Sequence, residues 1–179
     1  FSKNAGNQIY GAVDGPNAVG DFIPVMPEAV IEETITAYGE AAAFAKYCGF
    51  GMVMVHAGHG WLLNQFLDPN INNRKDRWGG SLENRCRFGL RVVEAIRDRC
   101  GPDFPVEWRI SASDLVPGGL EIADAIEYAK IMQGKVDLLQ VSAGIIGVPH
   151  TYPYTHPSTS LPHGENLERA TQIKMALKA

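Results

Sequence analysis

The sequence predicts an α/β fold made from part of a (β/α)8 TIM barrel. Three short runs rich in apolar and β-branched residues alternate with stretches whose apolar residues recur at helical spacing. Such alternation is typical of right-handed βαβ units around a parallel sheet. Long polar connections follow two of the three runs, and a barrel builds its site from loops at the carboxyl ends of its strands. An open doubly wound sheet is the alternative, but no Gly-x-Gly-x-x-Gly segment follows a strand, which weakens a dinucleotide-binding domain of that type.

The predicted strands cover residues 51–56, 106–110 and 136–141. The first and third are nearly all apolar, so we expect them to be parallel strands buried on both faces. A complete barrel has roughly 250 residues, whereas this chain has 179. We therefore predict three to four βα units, with residues 1–179 forming the central part of a barrel domain that lacks its first and last strands.

Four helices are predicted around these strands. The first follows Pro27 and has acidic residues in its first turns, where they favour the positive end of the helix dipole. The second begins at the N-cap residue Ser81 and ends at Gly101. The third spans residues 120–132, and the fourth begins near Glu165 and continues to the end of the chain.

The composition limits the classes of protein to which this chain can belong. Hydrophobic residues make up 45% and charged residues 20% of the chain, which is the balance of a globular protein rather than a disordered one. The net charge of −4 disfavours a nucleic-acid partner. No apolar run approaches the roughly 20 residues that a helix needs to cross a membrane, so no membrane partner is expected.

The cysteines and the chain ends lead to two further expectations. Cys48, Cys86 and Cys100 are odd in number and widely spaced, which argues against a disulfide framework or a cysteine-rich metal site and predicts reduced thiols in a cytoplasmic protein. The chain begins at Phe1 rather than Met and ends at Ala179 within a predicted helix. We therefore expect a piece of a longer polypeptide.

Two histidines end the first predicted strand. His56 and His59 are separated by Ala and Gly, and paired imidazoles can donate hydrogen bonds to a carbonyl or enolate oxygen and stabilise its negative charge. Histidine is also a common metal ligand, so a metal-dependent hydrolase remains an alternative function. No third ligand follows at a recognisable spacing. The two histidines can also have a purely structural role, with their ring nitrogens hydrogen-bonded within a polar loop.

Arg109 lies inside the second predicted strand. A guanidinium in a buried strand needs an anion or several hydrogen-bond acceptors. It can pair with Asp114 or Glu107, or it can face the barrel interior and meet an anionic or electron-rich cofactor ring.

Two loops carry many polar side chains. The segment 145–163 carries prolines and aromatic residues that suggest a shaped lid over a site. A tyrosine or histidine in it could transfer a proton, and the residues of these types are His150, Tyr152, Tyr154, His156 and His163. The segment 70–85 is dense in charges and amides, and we interpret it as a network that fixes its own loop.

Four stretches resemble one known family. The segment 56–67, which begins His-Ala-Gly-His-Gly-Trp, and the segment 73–88, Asn-Arg-Lys-Asp-Arg-Trp-Gly-Gly-Ser-Leu-Glu-Asn-Arg-Cys-Arg-Phe, resemble the signature block of the Old Yellow Enzyme family. Segments 109–114 and 137–143 match it in their expected places. The residues of these segments are most similar to those of the bacterial 2,4-dienoyl-CoA reductase and enoate reductase branch of the NADH:flavin oxidoreductases.

The resemblance implies an FMN-dependent enzyme. NAD(P)H reduces the flavin, which then reduces an activated C=C bond in a small α,β-unsaturated carbonyl compound or an enoyl or dienoyl thioester. By resemblance, His56 and His59 hold the substrate carbonyl, and Arg109 contacts the flavin near its pyrimidine edge. This branch usually also carries a 4Fe-4S cluster and an FAD-binding domain beyond the barrel, so both are possible outside this chain.

Trp61 departs from the family pattern. Many relatives have a tyrosine at this position that donates a proton to the substrate, whereas indole has no usable proton to transfer. We expect Trp61 to shape the substrate pocket, and Tyr152, Tyr154, His150 and water remain open as proton donors.

A non-catalytic interpretation is the alternative. The 179 residues would then be a half-barrel that binds a partner or serves as a scaffold, and its open strand edges would favour association. In either case we expect the isolated chain not to retain FMN. The sequence leaves the oligomeric state open.

Overall fold

The computed structural model of the chain describes residues 8–16, 21–157, 159 and 161–177. Phe1 and Ala179, on which the expectation of a longer polypeptide rests, lie outside the described residues. The elements in chain order are β1 (Gly15–Pro16), β2 (Phe22–Ile23), α1 (Glu28–Tyr47), β3 (Val53–Ala57), α2 (Leu62–Leu67), α3 (Leu82–Cys100), β4 (Val106–Ser111), α4 (Ile122–Met132), β5 (Leu138–Ser142), a 3-10 turn (Pro149–Thr151), α5 (Tyr152–Thr155) and α6 (Leu167–Ala176).

A three-stranded parallel sheet lies at the centre of this structure. Its strand order is β3-β4-β5, so β4 pairs with a parallel neighbour on each side. The register places Val53 opposite Val106 and Glu107 opposite Leu138. The three predicted strands and their parallel arrangement are confirmed, with ends that differ by one or two residues. The short antiparallel pair of β1 and β2 was not predicted.

Helices cover one face of the sheet. Val55, Trp108 and Ile110 point to this face and are buried. On the opposite face Met54 is 48% exposed and Leu138 is 49% exposed. The expectation that β3 and β5 are buried on both faces is therefore wrong for the described residues, because no described element covers these two side chains. A doubly wound sheet carries helices on both faces, whereas one covered and one open face is the geometry of a barrel wall.

The long helices begin and end largely as their terminal residues predict. The Ser81 side chain accepts a hydrogen bond from the Asn84 amide at the start of α3, and Gly101 ends α3 with a φ of 85°. The N-terminus of α4 has a capping box between Glu121 and Asp124, so the helix begins two residues later than predicted. The last helix starts at Leu167 and ends at Ala176, so it is shorter than the predicted helix, which continued to the chain end.

Close packing fixes the helices against each other and against the sheet. A Cβ at Gly39 of α1 would lie 2.7 Å from the carbonyl oxygen of Ala95 in α3, so these two helices approach at a position that requires glycine. On the neighbouring side, Trp108 Nε1 of β4 donates to the Tyr128 hydroxyl of α4 at 2.9 Å. Both rings are buried, so this bond links the central strand to its covering helix.

The polar segment 70–85 forms the predicted network. The Asn72 amide is buried and donates to the carbonyl oxygens of Phe66 and Trp78 at 2.5 and 2.8 Å. Arg74 pairs with Asp76. This loop therefore anchors the connection between β3 and α3. None of the helices within the described ranges has the length and apolar character needed to span a membrane.

Candidate active site at the carboxyl ends of the strands

His56 and Arg109 meet on the open face of the sheet. His56 of β3 lies opposite Arg109 of β4, and Arg109 lies opposite Gln140 of β5. Paired residues of parallel strands point to the same face, and this row alternates with the buried positions that face the helices. The two side chains that the sequence singled out therefore lie next to each other near the carboxyl ends of their strands.

A tight turn after β3 brings His59 to the same place. His59 has a φ of 60° and Gly60 a φ of 78°, so the chain reverses sharply within two residues. The His59 amide donates to Ser111 Oγ at 2.8 Å. A Cβ at Gly58 would lie 2.7 Å from the Ser111 nitrogen, so the turn packs directly on the end of β4. The His59 side chain is only 1% exposed.

The hydrogen bonds of His59 leave one ring nitrogen unpartnered. His59 Nε2 lies 2.8 Å from Ser142 Oγ, which is closer than the 3.3 Å from that hydroxyl to the Thr155 carbonyl oxygen. When the Ser142 hydroxyl donates in the shorter contact, the ring proton of the neutral imidazole lies on Nδ1. Within the described residues this Nδ1 is buried and has no hydrogen-bond partner. In that tautomer His59 presents an unused N–H donor.

His56 is arranged as a second donor. The Gly58 amide donates to His56 Nδ1 at 3.3 Å, so in the neutral ring the proton lies on Nε2. The two imidazole rings meet edge to face, with centroids 4.8 Å apart. Two N–H groups from adjacent rings are therefore available at the end of β3.

Burial and charge keep both imidazoles neutral. Burial, followed by the positive charge of Arg109, lowers the pKa of His56 below its usual value. The same causes lower the pKa of His59 to about 3. At neutral pH both rings are therefore uncharged N–H donors beside a charged guanidinium.

Arg109 has an unsatisfied nitrogen in the same place. Its Nη2 donates to the Thr155 carbonyl oxygen at 3.2 Å, while its buried Nε has no partner within the described ranges. Among the ion pairs of the described chain, none joins Arg109 to Asp114 or Glu107, the partners that the sequence left open. The guanidinium therefore keeps hydrogen-bonding capacity for a further group.

The three predicted proton donors lie away from the histidine pair. His150 Nε2 is 3.2 Å from the Leu115 carbonyl oxygen, and the Tyr152 hydroxyl accepts from the Gly147 amide at 3.1 Å. The Tyr154 ring lies under the Arg169 guanidinium, 5.8 Å away. Nothing in the described contacts joins these three side chains to His56 or His59.

His156 was one of several possible proton-transfer residues of the segment 145–163 and was not singled out, yet the structure brings it to the pair. Its ring centroid lies 5.7 Å from that of His59. Its position depends on how the segment after β5 folds back over the sheet, which no local pattern announces. Trp61 precedes α2 at the edge of the site, and its side chain is 48% exposed.

The described residues show no metal centre at this site. They contain no group of three or more His, Cys, Asp or Glu side chains that could hold a metal ion. Cys48 is an exposed free thiol, and Cys86 and Cys100 are buried free thiols. The site thus consists of neutral imidazoles, a guanidinium and hydroxyl groups at the carboxyl ends of parallel strands.

The fold is that of the Old Yellow Enzyme-type TIM barrels, of which this chain forms part. A solved complex of 2-naphthoyl-CoA reductase with 2-naphthoyl-CoA is 32% identical, with a TM-score of 0.83 over 93% of this chain and 25% of that chain. Morphinone reductase in complex with tetrahydroNAD is 30% identical, with a TM-score of 0.64 over 89% of this chain and 40% of that one.

Residues 15–168 match the NADH:flavin oxidoreductase / NADH oxidase family, and the chain belongs to this family. The NADPH dehydrogenase of Geobacillus thermodenitrificans (strain NG80-2) is 38% identical over 173 residues, which are 93% of this chain and 50% of the relative. The NADH oxidase of Thermoanaerobacter brockii is 40% identical over 116 residues, which are 64% of this chain and 18% of the relative. The resemblance identified from the sequence is confirmed, and the chain spans at most about half the length of these relatives.

Proposed function

We propose that the protein is an FMN-dependent reductase of activated C=C bonds that takes its electrons from NAD(P)H. In this proposal residues 1–179 form the central part of its FMN-binding barrel domain. The observation that carries the proposal is the convergence of His56, His59 and Arg109 on one face, with a buried unpartnered nitrogen on both His59 and Arg109. These two unpartnered nitrogens, together with the Nε2–H of His56, fit a ligand rich in oxygen and electron density.

His56 and His59 would hold the substrate carbonyl oxygen. His59 Nδ1 is buried without a partner within the described residues, and a buried unsatisfied polar group costs about 1–3 kcal/mol. A carbonyl oxygen that accepts a hydrogen bond from this nitrogen removes that cost. The bond strengthens as negative charge develops on the oxygen in a water-excluded site. Because both rings are neutral, they polarise the carbonyl without adding a positive charge of their own.

Arg109 would contact FMN. When bound, FMN supplies two-electron transfer between NAD(P)H and the alkene, and the protein tunes this chemistry with nearby charges. The Thr155 carbonyl oxygen orients the guanidinium, and the buried Nε fits a further acceptor. A positive charge beside the electron-rich edge of the flavin ring favours the reduced form of the flavin.

The substrate class is proposed to include enoyl or dienoyl thioesters as well as α,β-unsaturated ketones. The structural similarity to 2-naphthoyl-CoA reductase over 93% of this chain supports the thioester branch. The resemblance of the histidine segment to 2,4-dienoyl-CoA and enoate reductases points the same way. Trp61, half exposed at the edge of the site, would form part of the wall that contacts the alkene.

The test separates flavin reduction from alkene reduction in the FMN-loaded protein. Reduction by NADPH and anaerobic reoxidation by 2-cyclohexenone or crotonyl-CoA are followed by the flavin absorbance. His56→Ala and His59→Gln should slow reoxidation by about 100-fold to 1,000-fold, the effect of removing a donor to a developing oxyanion. His163→Ala, which changes a histidine in a different cavity, is the matched control. Equal reoxidation by the two variants and the native protein would contradict the proposal.

A further inference from the structure

We infer that His156 is the catalytic residue that delivers a proton to the α-carbon of the alkene. This inference rests on the proposed function and adds the proton donor that Trp61 cannot supply. His156 follows α5, is exposed to solvent, and lies with its ring 5.7 Å from the buried ring of His59. A substrate whose carbonyl is bound by His56 and His59 would therefore present its adjacent carbon near His156.

The hydrogen bonds of His156 define which nitrogen transfers the proton. The Thr155 hydroxyl donates to the Tyr152 carbonyl oxygen at 2.9 Å. Its oxygen also lies 3.0 Å from His156 Nδ1, and because its hydrogen is already used, it accepts from Nδ1–H. The nitrogen that gains and loses a proton is therefore Nε2.

Buried contacts hold the His156 backbone in place. Thr155 is 2% exposed, and its carbonyl oxygen accepts from Arg109 Nη2. A Cβ at Gly144 would lie 2.7 Å from the Thr151 carbonyl oxygen, so the segment after β5 packs tightly on itself. The titratable and charged groups that face His156 are His56 and His59 at the end of β3 and Arg109 on β4.

The other ionisable side chains of the segment 145–163 lie elsewhere, and His163 lines a separate cavity with Glu168 and Arg169. His150 contacts the Leu115 carbonyl oxygen, Tyr152 bonds to the Gly147 amide, and Tyr154 lies against Arg169. His156 thus combines contact with the histidine pair and access to water, which a residue needs if it is to be reprotonated after each turnover.

The step balances in atoms and electrons. A hydride equivalent drawn from NAD(P)H forms the new C–H bond at the β-carbon, and the π electrons of the C=C bond move towards the carbonyl. The proton on His156 Nε2 then forms the C–H bond at the α-carbon, which leaves NAD(P)⁺, the saturated product and a neutral imidazole. Water returns a proton to the ring.

The test compares His156→Gln with His150→Gln, the same substitution in the same segment. In His156→Gln we expect anaerobic reoxidation by 2-methyl-2-cyclohexenone to slow by about 100-fold or more, the usual contribution of general acid catalysis. The rate of reduction by NADPH should be unchanged. The affinity for 4-nitrophenol, whose oxygen would take the place of the substrate carbonyl oxygen, should also be unchanged when it is measured from the absorbance of 4-nitrophenol.

A stereochemical readout distinguishes proton delivery from a structural effect. In D2O the native protein should place deuterium on one face of the α-carbon, whereas His156→Gln should give both faces, and His150→Gln should behave as the native protein. A His156→Gln variant that keeps the native rate and facial selectivity would overturn the inference. So would the same loss in His150→Gln. Failure of the native protein to be reoxidised by any activated alkene would instead overturn the proposed function, and this inference with it.

Discussion

Replacing Asp68 by Asn should make the protein more resistant to unfolding at alkaline pH. Asp68 follows α2 and Asp114 follows β4, and both side chains are fully buried. Asp68 Oδ2 and Asp114 Oδ1 have no hydrogen-bond partner within the described chain. Burial, with the negative charge of Asp68 adding to it, raises the pKa of Asp114 to about 7. Two buried carboxyls in contact cannot both ionise cheaply, so the pair retains a proton.

The magnitude follows from that retained proton. The folded protein holds it to a pH near 7, whereas the unfolded chain releases it near the ordinary value of 3.8. The stabilisation is therefore fully present below 3.8 and is lost as the pH rises through 7. At 1.36 kcal/mol per pH unit for one proton, the contribution of this carboxyl pair to the free energy of unfolding should fall by about 3 kcal/mol between about pH 5 and about pH 8. In Asp68→Asn the fall should be smaller, because the neighbouring charge is gone while burial, the larger cause of the raised pKa of Asp114, remains.

Urea denaturation at several pH values between about 5 and 8 measures this slope. The side-chain oxygen of the substituted asparagine can still accept from the Asn70 amide, as Asp68 Oδ1 does at 2.8 Å, so the local backbone is preserved. Asp98→Asn is the matched control because Asp98 is exposed on α3, and its slope should equal the native one. Parallel pH dependence in the native protein and Asp68→Asn would refute the reasoning.

Two further predictions concern the turn at the site and the packing behind it. Gly58→Ala should weaken 4-nitrophenol binding by about tenfold, or about 1.4 kcal/mol, because its Cβ would lie 2.7 Å from the Ser111 nitrogen. Gly51→Ala, whose Cβ would meet no atom within 4 Å, is the control, and equal affinities would contradict the prediction. Tyr128→Phe should lower the free energy of unfolding in urea by about 1–3 kcal/mol because it leaves the buried Trp108 N–H unpaired. An unchanged midpoint would show that this bond contributes nothing.

The alternation of helices and strands was predictable because its signals are local. Ser81 caps α3 through the Asn84 amide, and Gly101 ends it with a positive φ. The short helices α2 and α5 have six and four residues, too few for a periodic pattern to be recognised. The open face of the sheet was also missed, because an apolar strand such as β3 has the same sequence pattern whether or not another element covers it.

The sequence by itself determined which chemical groups end the strands. The spacing of His56 and His59 and the position of Arg109 within a strand are fixed by residue order, and the family resemblance follows from the same residues. Only the tertiary structure decided their chemical state. The contact between His59 and Ser142 joins residues 83 positions apart, and the approach of His156 depends on how the segment after β5 folds back. Proton positions and pKa values arise from burial and charges in space, which neither composition nor local spacing specifies.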